Sequence, residues 1–267
     1  MKPGELRRRY GSTALVVGAS EGLGAAWAEA LAEHGLDLVL IARRPQVLEA
    51  FAAELRRQHP QLTVDALVGD LRHPDWLRHG AQAGVGGREI DVVIANAAVS
   101  PVGPFVTTDP DALEATVEVN ALGTLRLARA LLPPMAERRR GAFVIMSSLA
   151  GHQGSPNLAA YAATKAYLNT LGEGLWAELR PFGVDVLACS AGAVATPGYA
   201  AAALNRAPGT LEPAAVVEAA LAALGRVPRV IPGATNKLAT AVMTRVLSRK
   251  AAISIMSTAN ARLSRRP

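Results

Sequence analysis

The sequence predicts an α/β fold: a doubly wound parallel sheet in a single domain, followed by a C-terminal helical extension. Short runs of apolar and β-branched residues alternate regularly with stretches of helical character, the pattern of strands joined by crossover helices. A glycine-rich turn joins the first such run to the first helix. The chain has 267 residues, half of them hydrophobic, enough for one large core.

Taken in order, Thr13–Val17 (TALVV) leads through Gly18-Ala-Ser-Glu-Gly22-Leu-Gly24 into AAWAEALAEHG, a helix closed by Gly35. LDLVLIARR follows as a second buried strand and Pro45–His59 as a helix. LTVDALVGD, residues 62–70, reads as a third strand ending in Asp70; a short helix then precedes a fourth, IDVVIANAA, residues 90–98. Asp111–Arg140 is a long helical stretch that contains Asn120 and is broken by Pro133-Pro134. AFVIMSS is the fifth strand and VDVLACS, residues 184–190, the sixth, with an alanine-rich helix ending near Pro181 between them. Right-handed crossovers put the ends of strands one, four, five and six along one edge, so the glycine turn, Asn96, Ser148 and Ala191–Thr196 converge there.

That edge has the makings of a dinucleotide site. Strand, glycine turn and helix is a phosphate-cradling arrangement: glycines let the backbone approach a pyrophosphate, and a helix N-terminus offers free N–H groups. The spacing here is G-x-x-x-G-x-G, through Gly18, Gly22 and Gly24. At the end of the second strand, where a carboxylate would bind an adenosine ribose, stand Ala42, Arg43 and Arg44. Guanidinium groups suit a 2′-phosphate through forked, charge-assisted hydrogen bonds, which favours NADPH over NADH, while Glu21 in the glycine loop pulls the other way.

The alanine-rich helix brings Tyr161 and Lys165 onto one face, one turn apart. A fixed positive charge favours phenolate, and a shift of about 3 units from the ordinary tyrosine pKa corresponds to about 4 kcal/mol. Lys165 together with a cofactor cation is expected to lower the Tyr161 pKa and make it a usable proton donor and acceptor. Ser148, at the end of the fifth strand, can hold a substrate oxygen beside it.

Together these residues resemble the short-chain dehydrogenase/reductase family, from about residue 12 to about 232. Gly18, Gly22 and Gly24 match its glycine motif, Asn96-Ala97-Ala98 is similar to its Asn-Ala-Gly segment, and Asn120 in VEVNALGT matches its helix asparagine. Ser148, Tyr161 and Lys165 match its serine, tyrosine and lysine, 13 and 4 positions apart. The resemblance implies a Rossmann-type sheet and four catalytic residues. Tyr161 is acid or base, Ser148 orients the carbonyl, Lys165 binds the nicotinamide ribose, and Asn120 helps carry a water relay. It further implies cofactor contacts from Gly18, Ser20, Gly22, Leu23, Gly24, Arg43, Arg44, Asp70, Leu71, Asn96, Val194 and Thr196, besides Tyr161 and Lys165. Val17, Ala95, Ala98 and Ala191 depart from the family's usual residues at supporting positions. The implied activity is an NADPH-dependent oxidoreductase, a carbonyl reductase or alcohol dehydrogenase acting on a small-molecule ketone, aldehyde or alcohol. An NAD-linked dehydrogenase running oxidatively and a non-catalytic, dinucleotide-binding redox sensor are the alternatives.

Other classes fit less well. The five histidines have no metal-ligand spacing, and Cys189 is the only cysteine, which suits a reducing cytoplasm. Residues 1–9 carry a net +3 and residues 234–267 a net +7 within a total of +6, which leaves the body at −4. Basicity confined to the two ends weakens a nucleic-acid reading. The chain thus divides into a basic N-terminal arm (1–11), the catalytic domain (12–233) and a basic amphipathic extension (234–267). In the extension Leu238, Val242 and Val246 recur at four-residue steps, followed by Ile253, Ile255 and Met256. The favoured expectation is that it covers an apolar patch on its own body or at a homo-oligomer contact (dimer or tetramer). Peripheral membrane contact is the less favoured reading. The segment after Gly192, AVATPGYAAAALNRAPGTLEP, is where the resemblance implies a substrate lid; it is small and apolar, which suits a hydrophobic ligand.

Overall fold

The computed structural model describes residues 4–73, 85–202 and 207–261. Helix α1 (Glu5–Tyr10) precedes β1 (Thr13–Val17), α2 (Gly22–Glu33), β2 (Asp37–Ala42), α3 (Pro45–Gln58), β3 (Val64–Val68) and β4 (Val92–Ala95). Then come α4 (Pro110–Thr116), a π-helical segment (Val117–Gly123), α5 (Thr124–Glu137), β5 (Gly141–Ser148), α6 (Ala159–Leu179) and β6 (Val184–Ala191). The chain finishes with α7 (Pro197–Ala202), α8 (Pro213–Ala223), β7 (Arg229–Val230), α9 (Ala234–Ala241), a second π segment (Val242–Val246) and α10 (Arg249–Ala261). The short helix expected after Asp70 falls on residues 74–84, outside the described residues.

All strand pairs are parallel, in the order β3-β2-β1-β4-β5-β6-β7. The order reverses between β1 and β4, and a doubly wound sheet opens its ligand crevice at such a switch. Side chains alternate across a strand, so the sheet feeds two cores. Val16, Leu38, Leu40, Ile94 and Val144 pack with Trp27 and Leu31 of α2 and Val216 of α8. Leu15, Val39, Ile41, Val93 and Phe143 pack with Leu127 and Leu131 of α5 and Leu168 of α6. Burial on both faces explains why the strands read as unbroken apolar runs.

Several expectations change. The strand runs overshoot: β3 stops at Val68 and β4 at Ala95, so Asp70 and Asn96 lie in the loops beyond the strand ends. A two-residue seventh strand pairs Arg229 and Val230 with Ala188 and Cys189, too short to leave a run in the sequence. Pro133 and Pro134 do not break the helix; both lie inside α5, which continues to Glu137. The carbonyls they release belong to exposed Arg129 and part-exposed Ala130, where water can serve them. Within the stretch read as a basic arm, Leu6 and Tyr10 of α1 are fully buried in the first core. Arg9 and the Tyr10 hydroxyl both reach Asp185, at 2.7 and 2.8 Å.

Candidate active site

The glycine turn is built by close approach. Gly18 and Gly22 have positive φ values of 84° and 58°, the left-handed region that favours glycine. A Cβ on Gly24 would lie 1.9 Å from the Gly18 carbonyl oxygen, so only glycine lets α2 start this near the turn. The Asn96 side chain donates to that same carbonyl at 3.0 Å, tying the end of β4 to the loop. No side chain caps the start of α2, whose first N–H groups stay open to an anion.

Beside this turn lies a cleft of about 500 Å³. Gly18, Ser20, Gly22, Leu23, Arg43, Arg44, Asp70, Leu71, Asn96 and Thr196 line it, as the sequence led one to expect. Four expected cofactor residues do not: Gly24, Val194, Tyr161 and Lys165. Gly24 packs beneath the turn, and Val194 bridges to Leu211 at the base of the lid. Thr196 closes over the turn from the lid side: a Cβ on Gly22 would come within 3.0 Å of it. The Thr196 hydroxyl accepts from the Tyr199 N–H at 3.1 Å, which starts α7. An uncapped helix start, a turn only glycine can make and a cleft ending at two arginines fit a dinucleotide with an anionic pyrophosphate.

The two arginines are not equivalent. Arg44 is held by Glu21 at 2.8 Å and lies 3.4 Å from the Ser20 hydroxyl. Arg43 is exposed on the cleft and makes no ion pair with a described residue. Glu21 therefore offsets Arg44 and leaves Arg43 as the open guanidinium.

The proposed catalytic residues form one connected cluster. Tyr161 and Lys165 are a turn apart on α6, with the Lys165 Nζ 5.4 Å from the centre of the tyrosine ring. Nζ donates to the Met146 carbonyl of β5 at 2.8 Å, and Ser147 Oγ donates to the Lys165 carbonyl at 2.8 Å. These two bonds lock α6 to the strand that ends in Ser148. The Asn120 amide is fully engaged: it accepts from Val99 N–H at 2.9 Å and donates to Val99 O at 2.9 Å and to Thr164 Oγ1 at 3.2 Å. Thr164 in turn donates to the Tyr161 carbonyl at 2.8 Å. Asn120 sits in the π segment, an insertion that rotates a helix locally and often marks a functional site. Its main-chain carbonyl accepts from Thr124 Oγ1 at 2.9 Å, so a water relay at Asn120 would have to use that carbonyl's second lone pair.

The electrostatics depart from expectation. In the free chain the Tyr161 pKa is raised, not lowered, because burial penalises phenolate; a hydrogen bond with Ser148 pulls the other way and does not win. Burial also lowers the Lys165 pKa from 10.5 to about 8. The lysine is 3 % exposed, and its positive charge is the costly state. A downward phenol shift thus depends on positive charge arriving in the cleft. Cys189 is buried, with its thiol pushed up to about 12, and has no part in this chemistry.

Sequence reading missed Thr164 and Ser147, the residues that join the cluster together. Thr164 stood directly before Lys165 and Ser147 directly before Ser148, but neither belongs to a spaced motif. It also missed the anchor under the lid. Asn236 is buried and donates to the carbonyls of Gly209 and Pro232 at 3.1 and 3.0 Å.

A family model described as short chain dehydrogenase matches residues 12–206. A very-long-chain 3-oxoacyl-CoA reductase-like protein from Arabidopsis thaliana is 36% identical over 184 residues, 67% of this chain and 58% of that relative. This chain therefore spans little more than half the length of such curated relatives. A solved 7beta-hydroxysteroid dehydrogenase is 27% identical with a TM-score of 0.86, covering 94% of this chain and 98% of that one. A short-chain dehydrogenase from Sphingobium yanoikuyae, solved in complex with NADPH, is 30% identical with a TM-score of 0.74, covering 89% and 97%.

Proposed function

The chain belongs to the short-chain dehydrogenase/reductase family and is an NAD(P)-dependent oxidoreductase, and from that premise we propose that it interconverts a ketone or aldehyde and an alcohol on a hydrophobic substrate, with NADPH as the favoured cofactor. The observation that carries this reading is the joined cluster of Ser148, Tyr161 and Lys165 at the sheet edge that also holds the cleft. When bound, the nicotinamide supplies the hydride to the carbonyl carbon. Tyr161 gives its phenol proton to the carbonyl oxygen, and the raised pKa keeps that proton in place in the resting chain. Ser148, close enough to Tyr161 to favour its phenolate, holds the same oxygen so that proton transfer is short and aligned. Lys165 carries positive charge beside the phenolate left behind. Asn120 keeps Val99, which lines the cleft, in register with the helix bearing Tyr161.

Support for NADPH comes from exposed Arg43 and from the absence of a carboxylate at the end of β2. Support for a hydrophobic substrate comes from the small apolar residues after Gly192 and from relatives named for a very-long-chain 3-oxoacyl group and a hydroxysteroid. The test is turnover of NADPH and NADH over a panel of ketones and aldehydes graded in chain length and ring number. Turnover that rises with apolar size and prefers NADPH supports the proposal. Dinucleotide binding with no turnover of any substrate would instead favour the redox-sensor alternative.

A further inference from the structure

The C-terminal extension has its polarity reversed. In α9 the buried residues are Asn236 and Thr240, one turn apart. Asn236 is spent on the body through Gly209 and Pro232, and a Cβ on Gly192 would meet its amide at 2.8 Å. The opposite face and the π segment after it carry Leu238, Val242 and Val246, exposed at 68%, 38% and 74%. A helix on a protein surface ordinarily turns its apolar stripe inward. In α10 small Ala252 is buried, while Ile253 and Ile255 are exposed. Single exposed aliphatics are ordinary, but Leu238, Val242 and Val246 at four-residue steps, with Ile255 beyond them, leave this short extension with apolar residues that ask for a partner. The sequence had favoured this stripe as a cover for the chain's own body; the body is instead held by polar residues.

Charge selects the partner. Lys237, Arg245, Arg249 and Lys250 are exposed among these aliphatics, and no acidic residue occurs from 234 to 267. A second copy joined extension to extension by a two-fold axis would set the same cations against themselves, and one whose acidic body met the extension would register as a change of subunit number in the test below. An anionic lipid surface satisfies both features: the aliphatics enter the acyl boundary and the cations meet headgroup phosphates and carboxylates. No described helix is long and apolar enough to cross a membrane, and a surface contact needs none.

We propose that residues 234–261 dock this enzyme on an anionic lipid surface through Leu238, Val242, Val246 and Ile255, with Lys237, Arg245 and Lys250 at the headgroups. The docking face also adjoins the catalytic loop. Arg249 Nη1 donates to the His152 carbonyl at 3.0 Å, and a Cβ on Gly154 would meet Ile253 at 3.4 Å, both in the loop between Ser148 and Tyr161. The segment that meets lipid therefore touches the loop between Ser148 and Tyr161, and the face stands whatever the substrate proves to be.

The test is co-sedimentation of the full chain with vesicles of phosphatidylcholine, alone or with about a third phosphatidylserine. Binding should require phosphatidylserine and weaken about tenfold or more in about 1 M salt, where charges more than about 3 Å apart are screened. Leu238→Ser/Val246→Ser/Ile255→Ser and Lys237→Gln/Arg245→Gln/Lys250→Gln should each lose about tenfold in binding. Both should keep the melting temperature, subunit number and turnover of a soluble ketone, because the altered side chains are exposed. The proposal fails if the wild-type chain does not sediment with phosphatidylserine vesicles or binds both vesicles equally. It fails equally if either variant binds as wild type, or if the variants change the subunit number, which would make a protein the occupant.

Discussion

Lys165→Met separates what the lysine does for chemistry from what it costs the fold. Its folded pKa of about 8 lies below the ordinary 10.5, so between those values the unfolded chain holds more protons than the folded one. Stability from this group therefore rises with pH across that window. The charged form is penalised by about 3 kcal/mol at pH 7 and by about 1 kcal/mol at pH 10, from about 1.36 kcal/mol per pKa unit. Methionine removes the charge but leaves the Met146 carbonyl without its donor, a loss of about 1–3 kcal/mol that does not vary with pH. At pH 7 the two effects nearly offset, and the variant should melt within a few degrees of wild type while turnover is lost. At pH 10 wild type should have gained about 2.5 kcal/mol relative to the variant, about 4–5 °C in melting temperature for a chain of this size. Thermal melts of both proteins at the two pH values, with turnover at pH 7, read this directly. A melting-temperature difference that stays constant with pH would refute the claim that Lys165 is held charged at a cost.

Tyr161→Phe should reduce kcat by at least about a thousandfold and leave dinucleotide binding, followed by fluorescence, within about twofold of wild type, since the lost group acts on the proton alone. Arg43→Ala should raise the KM for NADPH about tenfold with little change for NADH, whereas Arg44→Ala should do less because Glu21 already holds Arg44; equal effects of the two substitutions would contradict the assigned difference. Glu21→Gln should lower the KM for NADPH by freeing Arg44, measured in the same assay. Gly24→Ala, whose Cβ would sit 1.9 Å from the Gly18 carbonyl, should abolish dinucleotide binding in a titration; retained binding would mean the turn is not the cradle described.

What could be read from the chain depended on whether a feature is local. Buried parallel strands leave apolar runs, so six strands and the edge shared by the ends of four of them were legible, while two-residue β7 was not. The spacing of Ser148, Tyr161 and Lys165 survives into geometry because one helix and one strand end carry it. The pairing of Arg44 with Glu21 needs two loops 23 residues apart to meet, and only weighing their opposite charges hinted at it. The direction of the Tyr161 shift in the free chain was not legible, for a related reason. A lysine four residues away was visible, but the burial of both groups was not, and burial dominates. The inversion of α9 was invisible too, since a four-residue apolar stripe does not say which way it faces.

Under the proposed reduction, the resting site already holds its groups in the required state. Burial keeps the phenol of Tyr161 protonated, and it makes the charge on Lys165 an expensive one, held at neutral pH against desolvation by the Met146 carbonyl. Once the phenol proton leaves in that step, the part-exposed phenolate faces a buried ammonium, and the attraction between them is stronger than between two solvated surface groups. The desolvation that destabilises each charge alone therefore stabilises the pair formed by proton transfer. It does so without moving either side chain, because Ser147, Thr164 and Asn120 fix α6 to β5 and to the π segment. A surface tyrosine and lysine at the same spacing would have ordinary pKa values and a mobile, solvated ammonium. The sequence pattern of four residues is thus a necessary part of the acid, and the buried bonds that clamp the helix supply the rest.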